Sequence, residues 1–250
     1  MPFVIGFPHE RIEALIEGHV ETFEFFGGVG QRSIYDNMRT IVNDGWGKHV
    51  RKEQKDFLQL KAHYAFQATF CNPGQGNEKG LVEGLVGWAR RNILVPVPRV
   101  NSFGELNQLL RERCLAYQKH TIRGRSKTIG EDFEIERDKL TPLPLRSMEP
   151  ISQVVAKCNP FSTVRFDTNR YSVPIEYVDK DITVKASVFE ISRWYRGRQI
   201  ATHPRLYGRE GVTYKLEALP SVTGKETTSC MERSACKGNQ LAHCFLGFCQ

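Results

Sequence analysis

Two carboxylates carry the first chemical question. "SIYDNMRTIV" (33–42) runs an apolar strand into Asp36, and 46 residues separate it from Glu83 in "KGLVEGL", part of a helical pattern. Phosphodiester chemistry with two Mg²⁺ ions needs carboxylates from separate elements that converge to hold the ions roughly 3.5–4 Å apart. An Asp at a strand end and a Glu on a later helix meet that need. Glu78 is a rival in the first helical turn, where a carboxylate complements the helix dipole. Glu83, among apolar neighbours on a helix that must pack against the sheet, is the better ligand candidate. Positions 83, 87 and 90 share one helical face. That face carries Glu83, Gly87 and Arg90, with Arg91 beside it, so metal and phosphate binding would fall on one surface. Both carboxylates also have plainer readings. Asp-Asn after a strand is a common turn pair, and a helical Glu is commonly just solvated.

The elements that must position these residues follow from periodicity. "PFVIGF" (2–7) is an apolar run between prolines and reads as a buried strand. Ile12, Leu15, Ile16, Val20 and Phe23 recur at helical spacing over 9–26, stopped by Gly27-Gly28. A strand is predicted over 33–35, a loop over 43–50, a helix over 53–64 and a strand over 66–70. "CNPGQGN" (71–77) is a loop by composition. A helix over 78–92 follows, with Leu81, Leu85, Trp88 and Ala89 on one stripe. "LVPVPRV" must leave that helix, because its two prolines force an extended path. Ser102 is an N-cap for a helix over 103–118, with Glu105 completing a capping box. This alternation predicts an α/β layered domain over 1–120.

Residues 121–150 are charged, proline-bearing and weakly periodic, and read as a charged linker. From 151 to 216 the pattern turns to period two, with turn residues at Asp167–Asn169, Asp179–Asp181 and Arg196-Gly197. That predicts a small antiparallel β-barrel. The tail, 217–250, holds four of the seven cysteines and shows no fold signal; it is expected to be disordered. Cys230-x5-Cys236 and Cys244-x4-Cys249 lack the two-residue gaps of structural zinc sites. Cys71, Cys114 and Cys158 are expected as buried thiols.

With 250 residues the chain can bury a sizeable core. No apolar stretch reaches the ~18 residues of a membrane span, and no basic region precedes the apolar N-terminal run. A cytoplasmic location is the expectation, with no membrane partner. The net charge of +7 and isoelectric point near 9.1 favour a polyanionic partner. The charge is concentrated: 84–127 carries nine Lys/Arg against Glu105 and Glu112, whereas the first thirty residues carry five Glu and one Arg. That stripe is either a solvated face or a phosphate-contacting one.

"FEFFGGVGQRSIYDNMRTIV" (23–42), "FLQLKAHYAFQATFCNPGQGNEKGLVEGLVGWARRNILVPVP" (57–98) and "FSTVRFDTNRYSVP…YRGRQIATHPR" (161–205) together resemble IstA-type insertion-sequence transposases. These are relatives of retroviral integrases with a ribonuclease H-like core. The resemblance implies a partial integrase core followed by a small barrel like that of Mu-type transposases. It implies that Asp36 and Glu83 are the second and third acids of an Asp-Asp-Glu triad holding two Mg²⁺ (or Mn²⁺) ions. DNA contacts would come from Lys79, Arg90 and Arg91. DNA is the implied partner, with homo-oligomerisation and an AAA+ ATPase helper of the IstB type. The family's first Asp lies upstream of the second, and no Asp precedes Asp36 here. Glu10 and Glu13 sit on the helix after the first strand and do not replace it. The expectation is therefore an incomplete transposase lacking the first acid, two core strands and the N-terminal helix-turn-helix, with an altered C-terminus. A non-catalytic nucleic-acid-binding remnant is the alternative.

Overall fold

The computed structural model describes residues 1–35, 41–44, 52–71, 76–214 and 243–248, with the side chains at 42–44, 52, 76–83 and 243–248 outside the description. The chain divides into two units, Met1–Glu149 with Gly238–Gln250, and Pro150–Lys237.

In the first unit, β1 (Pro2–Phe7) is buried at all six positions, as an apolar run with no polar face must be. The strand His243–Phe248 pairs antiparallel with it, Pro2 opposite Phe248 and Phe7 opposite His243. That strand lies in the stretch for which the sequence offered no fold signal. α1 (Ile12–Phe26) ends at Gly27, whose φ of 71° makes the left-handed C-cap that glycine adopts without strain. β2 (Arg32–Tyr35) follows. β3 (Val42–Asp44) and β4 (Lys52–Glu53) form a short antiparallel pair, β3 taking the first two residues of the loop predicted over 43–50. Strands of two or three residues are too short to register as alternation.

α2 (Lys55–Tyr64) leads into β5 (Gln67–Phe70), which lies parallel to β2 with Tyr35 opposite Phe70. α3 (Gly76–Asn92) and α4 (Phe103–Tyr117) complete the predicted order. Ser102 caps α4 by accepting from the Glu105 N–H, but the Glu105 carboxylate reaches back to the Asn101 N–H, one residue before the expected position. Leu15, Ile16 and Phe23 of α1, Tyr35 of β2, Phe57 and Leu60 of α2 and Phe66 form one buried cluster. A second joins Val4 of β1, Ala89 and Ile93 at the end of α3, and Leu110 and Cys114 of α4. Asn107 of α4 ties β1 to that helix by clamping Gly6, donating to its carbonyl and accepting from its N–H.

Residues 121–149 contain α5 (Ile129–Arg137), opened by a complete Thr128–Glu131 capping box. Phe133 packs on Phe26, and Val29 and Thr141 exchange both backbone hydrogen bonds. The Thr-x-x-Glu signature was available in the sequence; the high surrounding charge obscured it.

The second unit contains β6 (Ser152–Lys157), β7 (Thr163–Phe166), β8 (Asn169–Ser172), β9 (Asp181–Ala186), β10 (Glu190–Tyr195), β11 (Arg198–Pro204) and β12 (Val212–Thr213). The expected turns are present: Asp167, Asp179, Arg196 and Gly197 all have positive φ. The two residues Arg196-Gly197 close the β10–β11 hairpin, a turn that demands φ > 0 at both positions.

The predicted closed barrel is corrected. Among the described residues, the strands form a four-stranded antiparallel sheet, β11-β10-β9-β6, and a three-stranded sheet, β12-β8-β7, and neither closes. Val164, Phe166 and Tyr171 of the smaller sheet share one core with Ile182, Val184, Ala186 and Ile191 of the larger. Alternation specifies one buried face per strand, and two sheets face to face satisfy it as well as a closed ring. The ladder breaks where the chain turns between Lys157 and Thr163, with Ser162 at φ 54°. Asn169, buried, pins the 206–211 loop by donating to the Leu206 and Gly208 carbonyls and accepting from the Gly211 N–H.

Candidate functional site

β2 and β5 run parallel and end side by side, Tyr35 opposite Phe70. The Tyr35 carbonyl accepts from the Cys71 N–H at 2.9 Å, so the ladder continues to the last residue before Asp36. Beyond Cys71 the chain enters α3, and Glu83 lies seven residues into that helix, about 10 Å along its axis. Tyr35 and Cys71, the last described residues before Asp36 and before α3, therefore lie together at the carboxyl end of a parallel pair, where α/β sheets place their ligand sites. Asp36 lies outside the described residues. Lys79 and Glu83 are on α3 by backbone, with side chains outside the description. Among the described residues, no group of three His, Cys, Asp or Glu side chains is placed to hold a metal ion.

The sequence reading missed the pair that fixes the end of β2. His19, fully buried on α1, bonds the Leu15 carbonyl at 2.7 Å through Nδ1 and the Tyr35 hydroxyl at 2.6 Å through Nε2. A carbonyl can only accept, so Nδ1 carries the proton and Nε2 accepts from Tyr35. Burial pushes the imidazole down to about 4 and the Tyr35 hydroxyl upward, so both stay neutral. Rings of Phe23, Phe57 and Phe66 enclose His19. Its spacing from Leu15 and Phe23, one turn each way, was the available signal.

Arg90 and Arg91 are exposed on the last turn of α3, and among the described residues neither forms an ion pair. A side chain at Gly87 would come within 3.2 Å of Arg91 Nη1, so the glycine leaves the space over which that guanidinium folds. The basic stretch is not uniform. Arg113 Nη1 donates to the Ile93 carbonyl at 2.6 Å and the Pro96 carbonyl at 3.3 Å, bracing the exit from α3. Arg111 lies over the Phe25 ring and Arg125 pairs with Asp132 at 3.0 Å. Arg90, Arg91, Arg99, Lys119, Arg123 and Lys127 are exposed. Among the described residues, no helix is long and apolar enough to cross a membrane.

Comparison with known proteins identifies the company this arrangement keeps. Residues 143–215 match the family model of the Mu transposase C-terminal domain. A transposase for insertion sequences IS1326/IS1353 from Pseudomonas aeruginosa is 35% identical over 204 residues, covering 80% of this chain and 39% of the relative. A transposase from Aminobacter aminovorans is 32% identical, covering 79% and 39%. The transposase for insertion sequence element IS21, also from Pseudomonas aeruginosa, is 28% identical, covering 81% and 52%. The homologues of this chain are insertion-sequence transposases. The IS21 relative and the Mu-type domain fit the IstA type. The chain spans about two fifths to one half the length of these relatives.

Proposed function

We propose that this chain acts on DNA in transposition, its first unit holding part of a ribonuclease H-like integrase core. Homology to transposases over four fifths of the chain carries the reading. The parallel β2–β5 pair supports it by ending with Tyr35 and Phe70 side by side, directly before Asp36 and the Cys71 that leads to α3. The proposed ligands of Mg²⁺ (or Mn²⁺) are Asp36 and Glu83, two oxygen donors on separate elements, the hard ligand chemistry these ions prefer. Bound there, such ions would supply Lewis-acid activation of a water or 3′-hydroxyl and neutralise charge on the phosphate. Asp36 would present its carboxylate from a strand end held by Tyr35 and His19. Glu83 would present its own from a helix whose far end is packed into a core. Arg90, Arg91 and Lys79 would hold the phosphodiester backbone, positioning the strand without reading its sequence.

Two of three acids give weak metal affinity, so the 250-residue chain alone is expected to bind DNA without joining it. A strand-transfer assay in Mg²⁺ or Mn²⁺ tests this. No product, with DNA still bound, is the expected result. Product that Asp36→Ala abolishes would show a complete site and overturn the incomplete-enzyme reading. Salt-dependent DNA binding that survives Asp36→Ala and Glu83→Ala together would favour the second reading, a nucleic-acid-binding module that uses the exposed arginines.

A further inference from the structure

At the junction of α3 and α4 an open groove of about 550 Å³ has two unlike walls. One is apolar: Val95 and Pro96, in the extended segment after α3, with Val95 59% exposed. The other is aromatic. Trp88 of α3 meets the Tyr117 ring edge-on at 4.7 Å, and Tyr117 stacks on His120 at 5.1 Å with an interplanar angle of 22°. His120 is exposed, so this ladder of rings runs from a half-buried Trp outward to solvent. The groove also takes in Lys119 and Arg113, and Arg91 and Arg123 are exposed on the flanking segments.

The wall is rigid before any ligand arrives. The His120 N–H donates to the Tyr117 carbonyl at 3.0 Å, and the His120 carbonyl accepts from the Ile129 N–H at 3.0 Å. Gly130 donates to the Gln118 carbonyl at 2.9 Å, locking the turn after α4 onto the start of α5. The Arg113 guanidinium likewise holds the Ile93 and Pro96 carbonyls. A fixed aromatic surface and a fixed apolar one lining the same groove, with Lys119 and Arg113 among the lining residues, suit a flat heteroaromatic ring carrying a phosphate. Inside a duplex every ring face is covered by its neighbours, whereas an unpaired nucleotide can turn a face outward.

We propose that this groove is a subsite for an unpaired nucleotide of a DNA strand, its base stacked on His120 and Tyr117 and its phosphate met by Lys119. This rests on the DNA-binding part of the function proposed above but not on its metal site. Single-strand binders use this combination of stacking ring and cationic groove, which tolerates any base because every base has a π-face.

The test is binding of the whole chain, in EDTA and low salt, to a blunt duplex and to the same duplex with a short single-stranded overhang containing 2-aminopurine. Tighter binding of the overhang, with quenching of the 2-aminopurine fluorescence, is expected. His120→Ala should weaken overhang binding about tenfold and relieve the quenching while leaving blunt-duplex affinity unchanged. His120 is exposed, so the substitution does not disturb the core; His120→Phe, which restores a ring, should recover both signals. Equal affinity for blunt and overhanging DNA, or overhang binding and quenching indifferent to His120→Ala, would overturn the subsite and leave the DNA-binding reading standing. Failure to bind either DNA at low salt would overturn both.

Discussion

His19 and Tyr35 show how a single neutral pair can hold the strand end that leads to a candidate ligand. His19 titrates near 4 in the fold against an ordinary 6.5, so between those values the unfolded chain binds the extra proton. Its contribution is present above pH 6.5 and lost as pH falls toward 4, in total about 3 kcal/mol. Glu17 works in the opposite sense. Burial and neighbouring Glu21 raise its carboxyl to about 7, so its contribution is present below 4.5 and fades as pH rises through 7. Urea unfolding of the wild type and His19→Gln from about pH 7.5 to 4 separates the two. The stability lost on acidification should be smaller in the variant; equal slopes would contradict the buried neutral imidazole. The sequence reading passed over His19; its spacing from Leu15 and Phe23 was the one local signal, and the identity of its partner on β2 is a tertiary fact that no local pattern carries. Arg193 teaches the same lesson. It lies in phase with Ile191 on β10 and is fully buried over the Tyr171 ring at 5.4 Å, with none of its side-chain nitrogens hydrogen-bonded among the described residues.

At the scale of elements, every described helix and strand over 1–118 long enough to show a period was legible, because burial on one face imposes that period. What escaped was short or masked by charge: β3 and β4, and α5 with its capping box. α5 belongs to the first unit through the Val29–Thr141 bridge, and Gly28 is the residue that lets the two segments approach. A Cβ there would lie 2.6 Å from Leu140 Cβ and 3.1 Å from the Thr141 carbonyl oxygen. Neither atom is a flexible tip, so the backbones must part. Gly28→Ala is expected to destabilise the first unit by about 1–3 kcal/mol, read as a lower urea midpoint at unchanged slope. An unchanged midpoint would mean that residues 140–141 are not held against this turn. The barrel prediction failed for a different reason: alternation fixes faces, whereas closure depends on which edges meet.

For the whole molecule, the candidate site is a proposal about residues rather than a geometry. Asp36 and Glu83 were singled out by residue type and position and given their roles by the family resemblance, and the fold adds that Tyr35 and Cys71, the last described residues before Asp36 and before α3, lie side by side at one end of a parallel pair. The basic stretch was legible as charge, but its division of labour was not: Arg111, Arg113 and Arg125 make contacts within the fold, whereas Arg90 and Arg91 are exposed on α3 with no ion pair among the described residues. The central claim is that this outward pair puts α3 on DNA. Anisotropy titrations of a blunt duplex across a salt series, with the wild-type chain and the Arg90→Ala/Arg91→Ala double variant, test it most directly. Each arginine–phosphate interaction removed should flatten the slope of log affinity against log salt by about 0.9, so the double variant should be shallower by about 2. A slope that stays the same, or a wild-type chain that does not bind DNA at low salt, would contradict the claim.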